Sequence, residues 1–438
     1  MNKDVMKHYL RKISEDPVRL GAVLFVVALV VRVVYVAQGY PVPPQDTRDY
    51  DDIAMNLLQG NGFVATQNWF GYEVRSWRAP FYPAFLSAVY AVAGYSHEAV
   101  RWVQCFVGAL TVVVVYGIGR RLDAKSACIA GGLACVYGPL VAVSHEVMTE
   151  TWFTFWTVFS IWGLIENERG QRSDSSGRRW LVLAGVSVGM AALTRPVGLL
   201  VLPAYALYQL GRDRRAILVR AGMVGGVALL VTLPWMIRNY DVHGEWAIFS
   251  THGGFILLRS NWETPDWRRP DGWQISKAAF DQIPSEVERD RVWFRQGVSV
   301  IVGNPLMYMR WSAERFVRTW YFFRPSYNFW FALILPFFFA GLVRYGRLDG
   351  FRLPAALIIT SVLVFTFILY GSTRFRLPLE PFFILFAVSW CANYVRRAGV
   401  RSAGMVIAGY GALNLLVLMN AQALRASLLQ LLESSGLK

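Results

Sequence analysis

Charge is scarce in this sequence, and negative charge more so. Only 17% of the 438 residues are charged, with 29 Asp and Glu against 44 Lys and Arg. Beside 55% hydrophobic residues, that scarcity excludes an ordinary soluble globule; several apolar windows approach or exceed the ~20 residues that cross ~30 Å of hydrocarbon. Cysteine is scarce too. Cys105, Cys128, Cys135 and Cys391 lie in or near apolar runs without CxxC spacing, which argues against a disulfide framework or a zinc site. No Walker A, HExxH or strand-to-helix GxGxxG pattern occurs, and no internal repeat, so no soluble nucleotide-binding domain is expected. The apolar runs are continuous and do not alternate, which excludes a transmembrane barrel.

What is present is a polytopic helical pattern. The net charge of +15 does not point to nucleic acid, because much of it sits in short loops between apolar runs, the positive-inside arrangement. Lys3, Lys7, Arg11, Lys12 and Arg19 hold the amino-terminal tail (1–19) in the cytoplasm, and the first run reads as a signal anchor without a cleavage site. Eleven spans are expected, in one membrane domain covering 1–438: 20–37, 102–119, 127–143, 151–165, 181–193, 197–210, 221–237, 329–343, 355–370, 382–394 and 405–419. Alternation puts two long polar segments, 38–98 and 238–325, on the extracytoplasmic side. Residues 81–94 read as an interfacial or partly buried helix, and "NPLMYMRWSAERFVRTWYFF" as a helix along the interface with Trp311 and Trp320 as belt residues.

Chemistry gathers on that outer side. "QDTRDYDDIAMNLLQGNGF" follows the first span, with Tyr50, Ile53, Ala54, Leu57 and Leu58 at helical spacing and Gly60 and Gly62 as the stop. Asp46 sits at the N-cap position with Asp49 three residues on, as in a capping box. Asp49 and Asp52 read as solvent-facing, leaving Asp46 aimed at whatever lies between bundle and loops. Arginines recur in external turns beside proline or aromatic residues: Arg78, Arg195, Arg238 with Asn239, Arg374 and Arg376. Desolvated arginine at an interface calls for an anion; five from four separate segments suggest a shared phosphate or pyrophosphate ligand, with lipid headgroups as the plainer partner. In "SHEVMTETWF", Glu146 and Glu150 fall one helical turn apart. With His145 they make an incomplete ligand set, so a divalent metal held by the protein is not expected and Glu150 reads as a second acid lining the site. Glu380 reads as an interfacial carboxylate paired with Arg376.

Taken in order, "QDTRDYDDIAMNLLQGNGF", "RAPFYPAFLSAVYAVAGYS", "MTETWF", "LTRPVGLLVLP", "LPWMIRNYDVHGEWAIFSTHGGF" and "TRFRLPLEP" resemble the polyprenyl-phosphate-sugar-dependent glycosyltransferases of the GT-C superfamily. The nearest branch holds the protein O-mannosyltransferases and the lipid A aminoarabinose transferase. The resemblance implies an all-α bundle in the bacterial cytoplasmic membrane with its active site facing the exterior, a donor lipid bearing a phosphate-linked sugar, no cofactor, and a glycan, lipid or protein acceptor. It maps the catalytic base to Asp46, the tyrosine after it to Tyr50, and the carrier-phosphate contacts to Arg78, Arg374 and Arg376. Thr47 stands where the mannosyltransferases have the second residue of an Asp-Glu pair, so the acceptor is left open. The residues support the same chemistry by themselves. A phosphate leaving group needs cations, an acceptor hydroxyl needs a carboxylate base, and one base without a second carboxylate nucleophile implies inversion by single displacement. A transporter or flippase of a polyprenyl-linked lipid or glycan and a glycan polymerase or ligase using a pyrophosphate-linked lipid are the competing classes.

Overall fold

A computed structural model describes residues 16–39, 46–68, 72–170, 174–210, 214–261, 283–322, 328–369 and 371–434. The basic residues at positions 3, 7, 11 and 12 lie outside that set. Regular structure among the described residues is helical, apart from one isolated antiparallel bridge between Ala65 and Val74. From the amino terminus the helices are α1 (Pro17–Ala37), α2 (Thr47–Leu58), α3 (Phe81–Ala93), α4 (His97–Leu122), α5 (Ala127–Val136), α6 (Gly138–Ala142), α7 (Glu150–Gly170) and α8 (Asp174–Thr194). After a 3-10 turn at Pro196–Leu200 come α9 (Val201–Gln209), α10 (Arg214–His243), α11 (Gly253–Asn261), α12 (Glu286–Gly303) and α13 (Pro305–Trp320). The rest are α14 (Phe329–Tyr345), α15 (Asp349–Phe367), the short α16 (Thr373–Arg376), α17 (Glu380–Ala398), α18 (Val400–Met419) and α19 (Ala421–Ser434).

The chain is an integral membrane protein of the all-α class. Six described helices are long and apolar enough to cross a bilayer: α1, α4, 219–243 of α10, α15, the 373–398 unit and α18. The apolar helices α3, α5, α14 and Pro196–Gln209 are shorter. Helix stands at each of the eleven expected runs, but eleven is a count of apolar runs, and length with composition qualifies six.

Two local features show how the bundle packs. The run 127–143 is broken at Tyr137, because Pro139 cannot continue a helix from below. The carbonyls left near the break, those of Cys135 and Leu140, accept from Arg32 of α1 at 3.5 and 3.4 Å. Arg32 is buried, so its charge serves to satisfy backbone groups where no water reaches. In α8, Gly185 and Gly189 form a GxxxG face against α10. A Cβ at either position would stand 2.7 Å from Val227 or Val231, which is why the two backbones approach so closely.

The polar segments pack over one end of the bundle in two small apolar clusters. One gathers Ile53, Phe63, Trp77, Phe255, Leu258 and Trp293; the other gathers Tyr50, Ala54, Tyr82, Leu86, Tyr90 and Val147. Helix α2 contributes to both, which accounts for its amphipathic pattern. Glu286 joins the two segments, accepting from the backbone N–H of Arg75 at 2.7 Å and of Ser76 at 3.0 Å and from the Thr251 hydroxyl. Helix α13 differs from the interfacial expectation. Trp311 is buried, and Trp320 stacks on Phe338 (5.9 Å) and Phe383 (5.7 Å) inside the bundle instead of forming a belt.

Replacing Gly189 by Leu should force α8 and α10 apart, lowering stability by about 1–3 kcal/mol. Thermal melting in detergent reads this as a lower Tm; an unchanged Tm contradicts the close packing.

Candidate active site

The first turn of α2 is not held in the way its sequence suggests. Asp46 occupies the N-cap position, yet its backbone is helical and its side chain caps nothing. The buried Thr47 hydroxyl donates to the Val147 carbonyl at 3.1 Å, fixing this end of α2 against the segment before α7. The Asp46 carboxylate is thereby free to face arginines. Arg78 reaches it at 3.2 Å and Arg374 at 3.0 Å. Asp49 also turns inward, accepting from Arg78 Nε at 3.1 Å and Nη2 at 2.6 Å. It is buried, not solvent-facing: three helical residues from Asp46 is the same face. Asp52 serves the loop, accepting from the Thr66 and Gln67 N–H groups at 2.5 and 2.7 Å.

A second carboxylate closes the network. Glu150 begins α7 with 1% of its surface exposed. It accepts from Arg374 Nε at 2.7 Å and from Arg195 Nη2 at 3.0 Å. Glu146 is in a turn before the helix, so the expected helical-turn pair with Glu150 does not form; the His145 ring packs edge-on against Tyr35 at 5.7 Å. Arg195 sits where α8 ends before Pro196, and its Nη1, though buried, has no hydrogen-bond partner among the described residues. Arg78 also lies over the Tyr50 ring, 5.1 Å from its centroid. Ser372 caps α16, accepting from the Arg374 N–H at 3.3 Å, and so aims Arg374 at the network.

These groups open onto a cavity of about 440 Å³ lined by Asp46, Tyr50, Arg78, Arg195 and Arg374, with Trp77, His252 and Asp290 on the same lining. Side-chain exposures of 39% for Asp46 and 41% for Arg374 leave both accessible to a ligand. Burial would push the Asp46 carboxyl up, but Arg78 and Arg374 outweigh it and hold it at about 2. Burial, with the Arg78 cation nearby, keeps His252 neutral, well below the usual histidine range. Burial pushes Asp290 up to about 6, against the opposing effect of the Gly254 and Phe255 N–H groups. Among the described residues no three His, Cys, Asp or Glu side chains converge on one point.

Of the residues marked from sequence, Asp46, Tyr50, Arg78, Glu150, Arg195 and Arg374 come together. Arg238, Asn239 and Arg376 lie apart from this lining. Arg238 donates to the carbonyls of Arg75 (2.7 Å) and Phe63 (2.9 Å), and Asn239 to that of Ala247 (2.8 Å), so both brace the outer segments. Arg376 and Glu380 form a pair at 2.7 Å, each 1% exposed, within the bundle and not at its interface. Sequence reasoning did not single out Trp77, His252 or Asp290. The "HGG" ahead of α11 was a usable signal for His252; Asp290 in "SEVERDR" reads as one charge in a solvated run.

The chain is similar to known glycosyltransferases. Residues 77–237 match the family described as dolichyl-phosphate-mannose-protein mannosyltransferase. That span includes Arg78, Glu150 and Arg195 but not Asp46 or Arg374. An undecaprenyl phosphate-alpha-4-amino-4-deoxy-L-arabinose arabinosyl transferase of Pseudomonas fluorescens is 26% identical over 220 residues, 48% of this chain and 38% of that protein. The crystal structure of the Archaeoglobus fulgidus oligosaccharyltransferase in the apo form superposes with a TM-score of 0.60 at 15% identity, covering 92% of this chain and 54% of that one. ArnT from Cupriavidus metallidurans bound to undecaprenyl phosphate gives 0.59 at 18% identity, covering 90% and 64%. The chain thus spans little more than a third of the curated relative and between half and two thirds of these solved chains. Its fold is theirs, and the resemblance to the GT-C branch holding mannosyl- and aminoarabinosyltransferases stands.

Arg376→Leu alone should cost about 3–5 kcal/mol by leaving Glu380 charged and unpaired in the bundle, and Arg376→Leu with Glu380→Leu should recover most of it. Melting of the purified variants decides this. A well-folded single variant with impaired ligand binding would instead make Arg376 part of the site.

Proposed function

We propose that this chain is a membrane glycosyltransferase that moves a sugar from a polyprenyl-phosphate donor to an acceptor hydroxyl on the extracytoplasmic face, with inversion and with Asp46 as base. The observation that carries the reading is the Asp46 carboxylate between Arg78 and Arg374 at the edge of a cavity that also exposes Arg195. The three guanidiniums are matched by Asp46, Asp49 and Glu150, and the buried Nη1 of Arg195, which has no partner among the described residues, is the donor left over for an anion. A lipid-linked phosphate supplies that anion, and Ile256, Leu257, Ile368, Leu369 and Phe375 provide an apolar path for its chain. The family match and the relative that uses an undecaprenyl phosphate sugar support the donor class. The outer side is favoured because basic turns such as Arg120–Arg121 and Arg396–Arg397 lie at the ends of α4 and α17 away from Asp46.

In this mechanism the donor phosphate takes up hydrogen bonds from Arg374, Arg195 and Arg78. Asp46, relieved of part of its pairing, accepts the proton of the acceptor hydroxyl. The acceptor oxygen bonds to the anomeric carbon as the bond from that carbon to the phosphate oxygen breaks. Polyprenyl phosphate leaves with the electron pair, its charge met by the arginines. Glu150 keeps Arg374 and Arg195 in place throughout and is a positioning residue.

Asp46→Asn should reduce transfer by at least about 10²-fold with little change in affinity for undecaprenyl phosphate, since it removes the base and leaves the cations. A variant with near wild-type turnover sinks the assignment, as does a product whose anomeric configuration matches the donor's.

The pH profile offers a separate check. In free protein two cations hold Asp46 at about 2, so its ionisation is complete well below neutrality. An incoming phosphate exchanges cation pairing for an anionic neighbour, which raises the carboxyl pKa. The acid limb of kcat, which reports the donor complex, should therefore lie at higher pH than that of kcat/KM for the donor. Coincident limbs, or the reverse order, contradict the exchange.

A further inference from the structure

Next to Arg78, the cavity lining changes character: Trp77, Ser250, His252, Gly253 and Asp290 also form it. The Trp77 ring lies 4.2 Å from His252 at 51°, and His252 stacks on Phe255 at 5.4 Å and 19°. Trp77 is held from the other side by Trp293 at 6.2 Å. Asp290 Oδ1 accepts from the Gly254 N–H at 2.7 Å, which fixes the carboxylate at the start of α11. Its Oδ2 lies 4.0 Å from where a Cβ on Gly253 would be, and nothing else stands within 4 Å of that point. Gly254 needs its bare Cα, because a Cβ there would collide with the Asp290 backbone. Gly253 is under no such pressure and has no left-handed φ, so its missing side chain serves only to leave the carboxylate open to the cavity.

Neither end of a polyprenyl phosphate suits this wall. A phosphate is repelled by Asp290, and a hydrocarbon tail would set apolar groups against the Oδ2 that faces the cavity. The match is a neutral ligand bearing several hydroxyls. Its hydroxyls can donate to Oδ2, and neutral His252, held between Trp77 and Phe255, can give or accept one more hydrogen bond.

We propose that His252 and Asp290 form a sugar subsite, with Asp290 accepting the sugar's hydroxyls and His252, held in place by Trp77 and Phe255, giving or accepting one more hydrogen bond. This rests on the glycosyltransferase reading and names the residues that select its sugar, whether the transferred one or a saccharide acceptor. Selection follows because a site built to bind a hydroxyl rejects an analogue that lacks it.

The test uses the full chain in nanodiscs with three probes: undecaprenyl phosphate, a panel of undecaprenyl-phosphate-linked hexoses and pentoses, and methyl glycosides added with saturating undecaprenyl phosphate. Two variants separate the effects. Asp290→Asn retains an oxygen for the Gly254 N–H, and Gly253→Leu fills the opening without demanding a new backbone. Both should bind undecaprenyl phosphate within about twofold of wild type yet lose about tenfold or more of the discrimination among sugars. Loss confined to the lipid-linked panel assigns the subsite to the donor sugar, and loss confined to the methyl glycosides assigns it to the acceptor. Wild-type binding of the lipid with sugar preference unchanged in both variants overturns the subsite alone. Failure of the wild type to bind undecaprenyl phosphate overturns the glycosyltransferase reading, and the subsite with it.

Discussion

Glu150 opens a helix inside the bundle, nearly sealed from solvent, and a carboxylate there is tolerable only beside cations. Arg374 and Arg195 meet that demand, and Arg374 spends its remaining donor on Asp46. One guanidinium therefore ties residue 46 to residue 150 from a position 224 residues beyond the latter. Much of the surrounding architecture serves to keep these groups in register. Thr47 pins the start of α2 to the segment before α7, Ser372 caps the turn bearing Arg374, and the α8 stop at Pro196 presents Arg195.

The same arrangement explains how a site rich in charge can wait near a membrane without a ligand. Each carboxylate has cations, so the network is internally balanced, while Nη1 of Arg195 has no hydrogen-bond partner among the described residues. An arriving phosphate then competes for pairing with Asp46 and Glu150. Glu150 is buried and doubly held; Asp46 is partly exposed and at the cavity edge. Asp46 is the carboxylate that can yield, so in the proposed mechanism arrival of the donor would be coupled to release of the base. The remainder of the lining, built from aromatic rings and one fixed carboxylate, is suited to neutral hydroxylated matter.

Much of this was legible in the sequence, for physical reasons that differ by residue. The helical class followed from continuous apolar runs, and the arginines stood out because unpaired cations are rare in outer turns. What sequence could not supply was direction. Arg374 and Arg376 look equivalent in "TRFR", but two residues along a helix point to opposite sides, sending one to the cavity and the other to a buried pair with Glu380. Asp49 looked solvated, although its spacing from Asp46 already placed both on one helix face. Arg238 and Asn239 carried the right chemistry for an anion but are consumed by backbone carbonyls of the outer segments. Arg32 and Asp290 were invisible because their partners, a broken helix and a helix start, exist only in the folded chain.

The central claim is that the three arginines serve a lipid-linked phosphate whose sugar is transferred. Incubating the purified protein with a panel of polyprenyl-phosphate sugars and following the lipids by mass spectrometry tests it most directly. The account predicts consumption of at least one donor with release of polyprenyl monophosphate. Consumption of none, accompanied by movement of a lipid across vesicles that contain the protein, would contradict it.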